Sequence, residues 1–263
     1  MIRRIAKMAI ERLHVRRALS ITRIRDTAKV SSLGYISAKE TISAAEREGL
    51  SVCDYVEKLW NNQGDTQRVI DQMASCGVFE AKSPNVIEIG PGTGRYLEKV
   101  LEECRPAKYE IYETARDWAE WLQSKYKIVS HEADGVSLRQ TQDSSVDLLH
   151  AHGVFVYLPF LVSYRYWLEM WRVIRIGGWV VFDIYSEDCF DEQKVEEWLK
   201  SEHNYPCFLS KQYIVSLFRK HGFSLVNTFM NKHGAGRSEY LVFVRKKVDQ
   251  QNTSPDRHLA GTP

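Results

Sequence analysis

The fold is decided by the segment from Val86 to Arg95, which reads Val-Ile-Glu-Ile-Gly-Pro-Gly-Thr-Gly-Arg. A strand-like apolar run leads directly into three alternating glycines, and a helical pattern follows from Arg95 to Glu103. Glycine is needed where the backbone turns with a positive φ, or where a ligand must approach without a Cβ in between. The start of the helix offers free N–H groups to a polar or anionic ligand. The segment therefore predicts a strand, a ligand-binding loop and a helix.

Outward from this loop, strand-like runs alternate with helical stretches, which is typical of a parallel sheet with helices on both faces. We predict strands at Val86–Ile89, Tyr109–Tyr112, Lys127–His131, Val146–Ala151, Trp179–Ile184, Ser224–Met230 and Tyr240–Arg245. The connection between the last two is too short for a crossover helix, so they form an antiparallel pair. The prediction is an α/β fold: a doubly wound, mostly parallel seven-strand sheet with a C-terminal antiparallel hairpin, plus an N-terminal helical extension.

Two further helical regions are predicted from the spacing of apolar residues. Residues 38–79 predict two helices separated by a turn at residues 61–64, ahead of the first strand. Between the fourth and fifth strands, aromatic and apolar residues from Phe160 to Ile174 recur at helical spacing. Gly177 and Gly178 follow this helix where a C-terminal cap belongs.

An acidic residue, Glu113, follows the loop by about twenty residues at the end of the second predicted strand. A carboxylate there can accept hydrogen bonds from both ribose hydroxyls of an adenosine group. The dinucleotide fingerprint Gly-x-Gly-x-x-Gly requires glycine or alanine at position 95, but that residue is Arg95, which would crowd a pyrophosphate. No Gly-Lys-Ser/Thr sequence marks a phosphate-binding loop. The combination favours an adenosine cofactor without phosphates.

These features resemble the class I S-adenosylmethionine-dependent methyltransferases, whose first motif reads acidic-x-Gly-x-Gly-x-Gly and whose sheet ends in an antiparallel hairpin. The resemblance spans residues 86–246. Within this range it includes the segments Val146–Pro159 and Ile176–Asp183. It implies S-adenosylmethionine as the cofactor. The cofactor-binding residues that it implies are Glu88 in support of the methionine end, Gly90, Gly92 and Gly94 as the loop wall, Glu113 at the ribose and Asp134 at the adenine amino group.

Two histidines, His150 and His152, lie at the carboxyl end of the fourth predicted strand, beside the crevice where open parallel sheets bind ligands. Both point to the same side, because strand residues alternate. A hydroxyl acceptor must lose a proton, and histidine is the usual general base. We therefore predict His152, which lies nearer the strand end, and then His150 as catalytic residues; a structural role in the adenine pocket is the alternative. Second candidates for orienting the acceptor are Tyr157, where the family commonly has a histidine, Asp183 and Tyr185.

Motifs of other acceptor classes are missing from the sequence. There is neither the Asn/Asp-Pro-Pro-Tyr/Phe run of related adenine methyltransferases nor the Asp-Asn pair of the magnesium-dependent catechol type, so we predict no metal site. The predicted function is in-line methylation of a hydroxyl on a small molecule or glycan. The alternatives are an RNA or protein methyltransferase and a methyltransferase-like binding module without turnover. The atom methylated and the oligomeric state stay open.

The composition is that of an ordinary globular protein, with 44% hydrophobic and 27% charged residues. A chain of 263 residues can bury one substantial core but not two catalytic domains. The net charge of +2 offers no clear argument for a nucleic-acid partner. Five cysteines without a Cys-x-x-Cys pair favour a reducing compartment. We expect a cytoplasmic protein, since no signal peptide and no apolar run of about 20 residues is found.

Basic residues are concentrated near the start of the chain. Residues 1–30 hold nine Lys or Arg against two acidic residues, a charge of +7, and residues 2–13 predict a basic amphipathic helix. This helix is a candidate for peripheral binding at the inner membrane surface, for pairing with a subunit, for mitochondrial targeting, or for packing on its own domain. The predicted division of the chain is an extension at 1–37, a helical cap at 38–80, a methyltransferase domain at 81–247 and a disordered tail at 248–263.

Overall fold

The computed structural model describes residues 35–60, 63–200, 207–233 and 236–247. The predictions for residues 2–13 and 248–263 therefore lie outside the described residues. The strands are β1 Asn85–Ile89, β2 Lys108–Glu113, β3 Val129–Glu132, β4 Val146–Ala151, β5 Ile174–Ile184, β6 Phe223–His233 and β7 Gly236–Arg245. They form one seven-stranded sheet in the order β3-β2-β1-β4-β5-β7-β6.

The direction of the strands confirms the predicted fold. β1 to β5 are mutually parallel, and β7 runs antiparallel to both β5 and β6. Since β6 is antiparallel to β7, it points the same way as β5. The carboxyl end of β6 thus lies at the same edge of the sheet as the carboxyl ends of the parallel strands, where ligands bind in such folds.

Helices cover both faces of the sheet. They are α1 Ala38–Glu48, α2 Val52–Trp60, α3 Asp65–Ser75, α4 Arg95–Cys104, α5 Arg116–Lys125, α6 Phe160–Val173, α7 Glu192–Lys200 and α8 Lys211–Lys220. A short 3-10 turn, Glu187–Cys189, precedes α7. Within the described ranges, no helix has the length and apolar character needed to cross a membrane.

Three helices precede β1, so the prediction of two was wrong in number. The additional break comes at Gly49, which adopts a left-handed conformation with φ of 66° and ends α1 by donating its N–H to the helix carbonyls. Hydrogen bonds tie α1 and the residues just before it to α5. Asp117 Oδ2 accepts from the Ala38 N–H at 3.0 Å, and the Trp118 indole donates to the Ile36 carbonyl at 2.8 Å.

The core lies on the two faces of the sheet because strand side chains alternate. On one face, Ile87 and Leu149 are fully buried against α6 and α8. On the other face, Leu148 and Val181 are buried with α3 and α4. The second face also receives Glu88 from β1, since this residue alternates with Ile87. A carboxylate therefore lies within an otherwise apolar layer.

The start of β5 differs from the prediction. α6 ends at Val173 and the chain enters β5 at once, with Ile174 as the extended C-cap. Gly177 and Gly178 therefore lie inside β5 and do not cap α6. A Cβ at Gly178 would approach the Val146 carbonyl oxygen to 2.9 Å, so the glycine allows β5 to approach β4 closely where the register shifts.

Candidate active site

The three glycines of the loop between β1 and α4 all have positive φ, namely 64° at Gly90, 53° at Gly92 and 77° at Gly94. A Cβ at Gly90 would lie 2.8 Å from Val154, and one at Gly94 would overlap Leu122. At Gly92 a Cβ would meet no atom within 4 Å among the described residues. Two of the glycines are thus required by packing, whereas Gly92 faces open space from which a cofactor can approach the backbone.

The helix behind the loop begins without a side-chain cap. Gly94 is the N-cap of α4, and no side chain of the described residues caps this helix end. The Arg95 guanidinium lies 4.9 Å from the Tyr96 ring centroid, and its Nη1 atom is buried without a hydrogen-bond partner in the part of the chain that the structure describes. A helix N-terminus beside a partly buried guanidinium favours a bound carboxylate.

Glu113, at the end of β2, contacts the loop directly. Its Oε2 accepts a hydrogen bond from the Gly92 N–H at 2.8 Å, and its Oε1 accepts from the Ala115 N–H at 2.7 Å. Burial raises the pKa of this carboxyl, and the hydrogen bonds from Ala115 and Gly92 partly offset the effect. Glu113, the residue predicted to bind the ribose, therefore lies at the loop, is 9% exposed and accepts hydrogen bonds from backbone donors.

Asp134 lies in the turn after β3. Its Oδ1 accepts from the N–H groups of Val136 at 2.9 Å and Ser137 at 2.8 Å, and its Oδ2 accepts from the Ser137 hydroxyl at 2.7 Å. Burial opposes ionisation, but these hydrogen bonds outweigh it and lower the pKa of the carboxyl. The carboxylate fixes its own turn, and its contact with adenine stays a prediction.

Glu88 lies below the loop and not on its surface. The residue is 1% exposed, and in the register of β1 and β4 it is opposite His150. Its Oε2 accepts a hydrogen bond from the Tyr109 hydroxyl at 2.7 Å. Burial raises the pKa of Glu88 to about 8. The predicted support of the methionine end through the loop backbone stays a prediction, since the hydrogen bond described for this carboxylate comes from Tyr109.

The two histidines of β4 point to the same side of the sheet and contact each other. His150 Nδ1 lies 3.0 Å from His152 Nε2. The second ring nitrogen of His150 is 2.8 Å from the Tyr109 hydroxyl, and that of His152 is 3.2 Å from the Tyr240 hydroxyl. The Tyr96 ring stacks on His152 with centroids 3.7 Å apart. All four ring nitrogens are thus engaged within the protein.

Burial keeps both imidazoles uncharged. It lowers the pKa of His150 to about 3, and it also lowers the pKa of His152, with smaller effects of His150 and Arg95. A neutral histidine can accept a proton, but a direct contact with an acceptor would require one of the described hydrogen bonds to break. The catalytic assignment of His152 and His150 therefore stays a prediction.

Asp183, at the carboxyl end of β5, has an unused acceptor atom. The residue is 1% exposed, and its Oδ1 accepts from the Gly153 N–H at 2.7 Å. Its Oδ2 is buried and has no hydrogen-bond partner among the residues described. A buried polar atom without a partner is costly and normally has a ligand or water. Asp183 is close enough for its charge to raise the pKa of Tyr157 and of Tyr240, after the larger effect of burial on each.

His233, the last residue of β6, reaches the same edge. Its Nδ1 lies 2.6 Å from the Tyr185 hydroxyl, and its ring centroid is 5.6 Å from that of Tyr157. Its Nε2 would lie 3.3 Å from a Cβ at Gly153. The structure therefore brings together the second candidates for orienting the acceptor, which are Tyr157, Asp183 and Tyr185. His233 lies beside them.

Aromatic side chains extend this edge away from the loop. Tyr185 contacts Trp198 of α7 at a centroid distance of 5.0 Å and Phe190 at 5.8 Å. Phe190 also contacts Phe208, the residue that forms an isolated bridge with Tyr185. The segment after β5 therefore places an aromatic wall beside the polar group Asp183, Tyr157 and His233.

Several of these residues were not predicted as site residues: Tyr96, Tyr109, His233 and Tyr240. The signal for His233 was present, because an antiparallel β7 between β5 and β6 places the end of β6 at the ligand-binding edge. No comparable feature of the sequence marked Tyr109 or Tyr240 as site residues. Aromatic residues in strands are usually core, and only the paired register reveals that their hydroxyls meet polar partners.

Comparison with known proteins adds a family and a fold. The sequence matches the family model described as a methyltransferase domain over residues 45–228. It matches no curated protein sequence significantly. Among solved structures, the fold is similar to that of magnesium protoporphyrin IX methyltransferase from Synechocystis PCC 6803 with bound S-adenosylhomocysteine. The TM-score is 0.56 at 12% identity, over 86% of this chain and 99% of that chain.

Two further structures are similar at comparable levels. The N-methyltransferase NodS from Bradyrhizobium japonicum WM9, in complex with S-adenosylhomocysteine, gives a TM-score of 0.53 at 14% identity, over 79% of this chain and 99% of that one. An O-methyltransferase family protein from Burkholderia thailandensis gives 0.55 at 17% identity, over 75% of this chain and 59% of that one. At these identities the likeness concerns the fold alone.

Proposed function

The chain belongs to the class I S-adenosylmethionine-dependent methyltransferases, and on this premise we propose that it methylates a hydroxyl group of a small molecule or glycan. The proposal is carried by Asp183 Oδ2, a buried acceptor atom without a partner among the described residues. The hydroxyl group of a small acceptor can donate a hydrogen bond to this oxygen. Because the other oxygen is held by Gly153, the carboxylate is oriented before a substrate arrives.

Cofactor binding is assigned to the loop. Gly92 leaves open space for the cofactor, Glu113 lies against Gly92 to receive the ribose hydroxyls, and Asp134 is proposed for the adenine amino group. Arg95 Nη1, a buried donor without a partner among the described residues, is proposed to pair with the methionine carboxylate. Bound S-adenosylmethionine supplies a methyl group on a positively charged sulfur, which is a good leaving group.

The residues of the chain then have to orient the acceptor and take its proton. Asp183 Oδ2 would accept the proton of the acceptor hydroxyl, and the cofactor would supply the methyl group to the acceptor oxygen as its carbon–sulfur bond breaks. His233, whose Nδ1 is engaged with Tyr185, is uncharged because burial lowers its pKa, and its Nε2 is available beside Gly153. His152 and His150 remain the alternative bases, acting only if one of their hydrogen bonds opens.

The surroundings of Asp183 and Tyr185 favour one class of acceptor. Both residues are 1% exposed, and the aromatic side chains of Phe190 and Trp198 pack against Tyr185. Aromatic faces bind the apolar faces of sugars and of other rings, and small-ligand sites are lined predominantly by apolar and aromatic side chains. These contacts favour the small-molecule or glycan acceptor over the RNA or protein alternative.

The proposal is tested with the full chain and labelled S-adenosylmethionine against panels of phenols, sugars, amines and RNA. Transfer to a hydroxyl, identified by mass spectrometry and by lability tests of the product, is expected. Transfer only to nitrogen or to a polymer would overturn the acceptor assignment. Binding of S-adenosylhomocysteine without transfer to any member of the panels would favour a non-catalytic binding module.

A further inference from the structure

Three buried side chains on two adjacent parallel strands bring metal-ligating atoms together. Glu88 of β1 and His150 and His152 of β4 each offer one ligand atom, and these atoms all lie within 4.8 Å of one another. The two facing nitrogens, His150 Nδ1 and His152 Nε2, are 3.0 Å apart, and Glu88 Oε1 lies 3.9 Å from His150 Nδ1. Two imidazole nitrogens bound to one ion at about 2.1 Å would be about 3.0 Å apart at the octahedral angle and about 3.4 Å apart at the tetrahedral angle.

The outer atoms of the same side chains are held as in metal centres. A histidine that binds a metal usually donates its other ring N–H to an oxygen, which fixes its orientation. The outer nitrogen of His150 lies 2.8 Å from the Tyr109 hydroxyl, and the outer nitrogen of His152 lies 3.2 Å from the Tyr240 hydroxyl. Tyr109 in turn donates to Glu88 Oε2 at 2.7 Å. All three ligands are therefore oriented by phenolic groups.

The three side chains are also buried together. Glu88 is 1% exposed, His150 is fully buried and His152 is 9% exposed. A carboxylate oxygen and two imidazole nitrogens each offer a lone pair to a divalent cation. One cation bound between them would therefore contact all three side chains within the protein interior.

We propose that Glu88, His150 and His152 bind one divalent transition-metal ion, of the zinc or iron(II) type, beneath the glycine loop. Two imidazoles and one carboxylate are the donor set that such ions prefer over magnesium or calcium. Because the three residues are between 0% and 9% exposed, the ion stabilises the strand ends that support the loop and does not meet the acceptor. The proposal is independent of the acceptor class. It differs from the expectation of no metal site, which rested on the absence of the Asp-Asn pair of the catechol type.

The first experiment uses the full chain without an affinity tag, so that no added histidines bind metal. The protein as purified is analysed for metals, then unfolded in chelator and refolded without metal. We expect close to one zinc or iron per chain as purified and a lower Tm after removal. Added Zn²⁺ or Co²⁺ is expected to restore the Tm, and Co²⁺ to give visible absorption bands typical of nitrogen and oxygen ligands.

The second experiment uses variants. His150→Gln and His152→Gln are expected to lose the metal, whereas His131→Gln, a control on β3 where the histidine is paired with Glu110, should keep it. Tyr240→Phe, which removes an outer contact, should weaken Co²⁺ binding about tenfold. Binding of S-adenosylhomocysteine, measured in parallel, shows whether each variant is folded and keeps failure of the metal site distinct from failure of the methyltransferase function.

One result overturns the proposal whether or not the variants fold. If refolded wild-type chain gains neither Tm nor absorption with Zn²⁺, Fe²⁺ or Co²⁺, while binding S-adenosylhomocysteine normally, the three side chains are joined by hydrogen bonds alone. Equal metal content in wild type and in folded His150→Gln would overturn it as well, because the metal would then be bound elsewhere.

Discussion

The backbone N–H of Gly153 donates to Asp183 Oδ1 at 2.7 Å, which orients the carboxylate while Oδ2 keeps no partner among the described residues. Gly153 comes two residues after the end of β4, and Asp183 lies at the carboxyl end of the adjacent parallel strand β5. This hydrogen bond therefore holds a buried acceptor atom at the edge of the sheet where the glycine loop also lies.

Replacing Asp183 tests its proposed contact with the acceptor. In Asp183→Asn the amide oxygen can still accept from Gly153, but the side chain no longer takes a proton, so kcat should fall by about 100-fold. The Kd of S-adenosylhomocysteine should change by less than about twofold, since the loop is intact. The control is Asp188→Asn, whose carboxylate is 54% exposed. Unchanged kcat in Asp183→Asn would remove this residue from the mechanism.

Glycine substitutions in the loop separate cofactor access from packing. Gly92→Ala adds a Cβ to open space, so the cost in stability is limited to the positive φ, about 1–2 kcal/mol, while affinity for S-adenosylhomocysteine should fall at least about tenfold. Gly94→Ala would overlap Leu122 and should lower the free energy of unfolding by about 2–4 kcal/mol. Calorimetry and chemical denaturation measure the two effects. Tight cofactor binding in Gly92→Ala would contradict this division.

Glu113 is expected to bind ribose through its charge. Glu113→Gln keeps an acceptor for the Gly92 N–H but loses the charged oxygen, so S-adenosylhomocysteine should bind about 10- to 100-fold more weakly. Glu132→Gln is a matched control, because Glu132 lies opposite Glu113 in the register of β3 and β2 and is exposed. Equal affinities in both variants would show that the Glu113 carboxylate supports the loop backbone and does not bind the ribose.

Attachment of α1 to α5 should depend on pH through Asp117. Burial opposes ionisation of this carboxyl, but hydrogen bonds from the Ala38 N–H and the Tyr35 hydroxyl outweigh it and lower its pKa. A lowered pKa means that the stabilisation is complete above the ordinary value of about 3.9 and is lost as pH falls through the folded value. The Tm difference between wild type and Asp117→Ala should therefore be constant near neutral pH and shrink below about pH 4.

The control for this measurement is Glu120→Ala on the same helix, where an exposed ion pair with Arg116 should contribute less than about 1 kcal/mol. A Tm difference for Asp117→Ala that persists unchanged at the lowest pH would mean that packing of α1, and not the charge of Asp117, holds the two helices together.

Local sequence was sufficient for the glycine loop and for the succession of strands and helices along the chain. Gly90, Gly92, Gly94 and Glu113 lie within about 25 residues, and the period of apolar residues distinguishes strands from helices over spans of that length. The closing hairpin followed from the short connection between β6 and β7. The start of β5 and the break at Gly49 were missed because glycine is compatible with a helix end, a turn or a close strand contact, and only packing selects among them.

The tertiary structure alone decided which polar residues meet. Glu88, Tyr109, His150 and Tyr240 come from four strands, and Tyr240 lies 88 residues beyond His152, whose ring it contacts. Their proximity depends on strand order and on pairing register, which shifts every side chain to the other face if it slips by one residue. Asp183 Oδ2 likewise has no partner among the described residues, and only the packing of β5 beside the turn after β4 reveals this. The sequence by itself thus determined the family, the glycine loop and the place of Glu113 at the end of β2, while packing across the sheet determined which residues lie near Asp183 and which surround the two histidines beneath the loop.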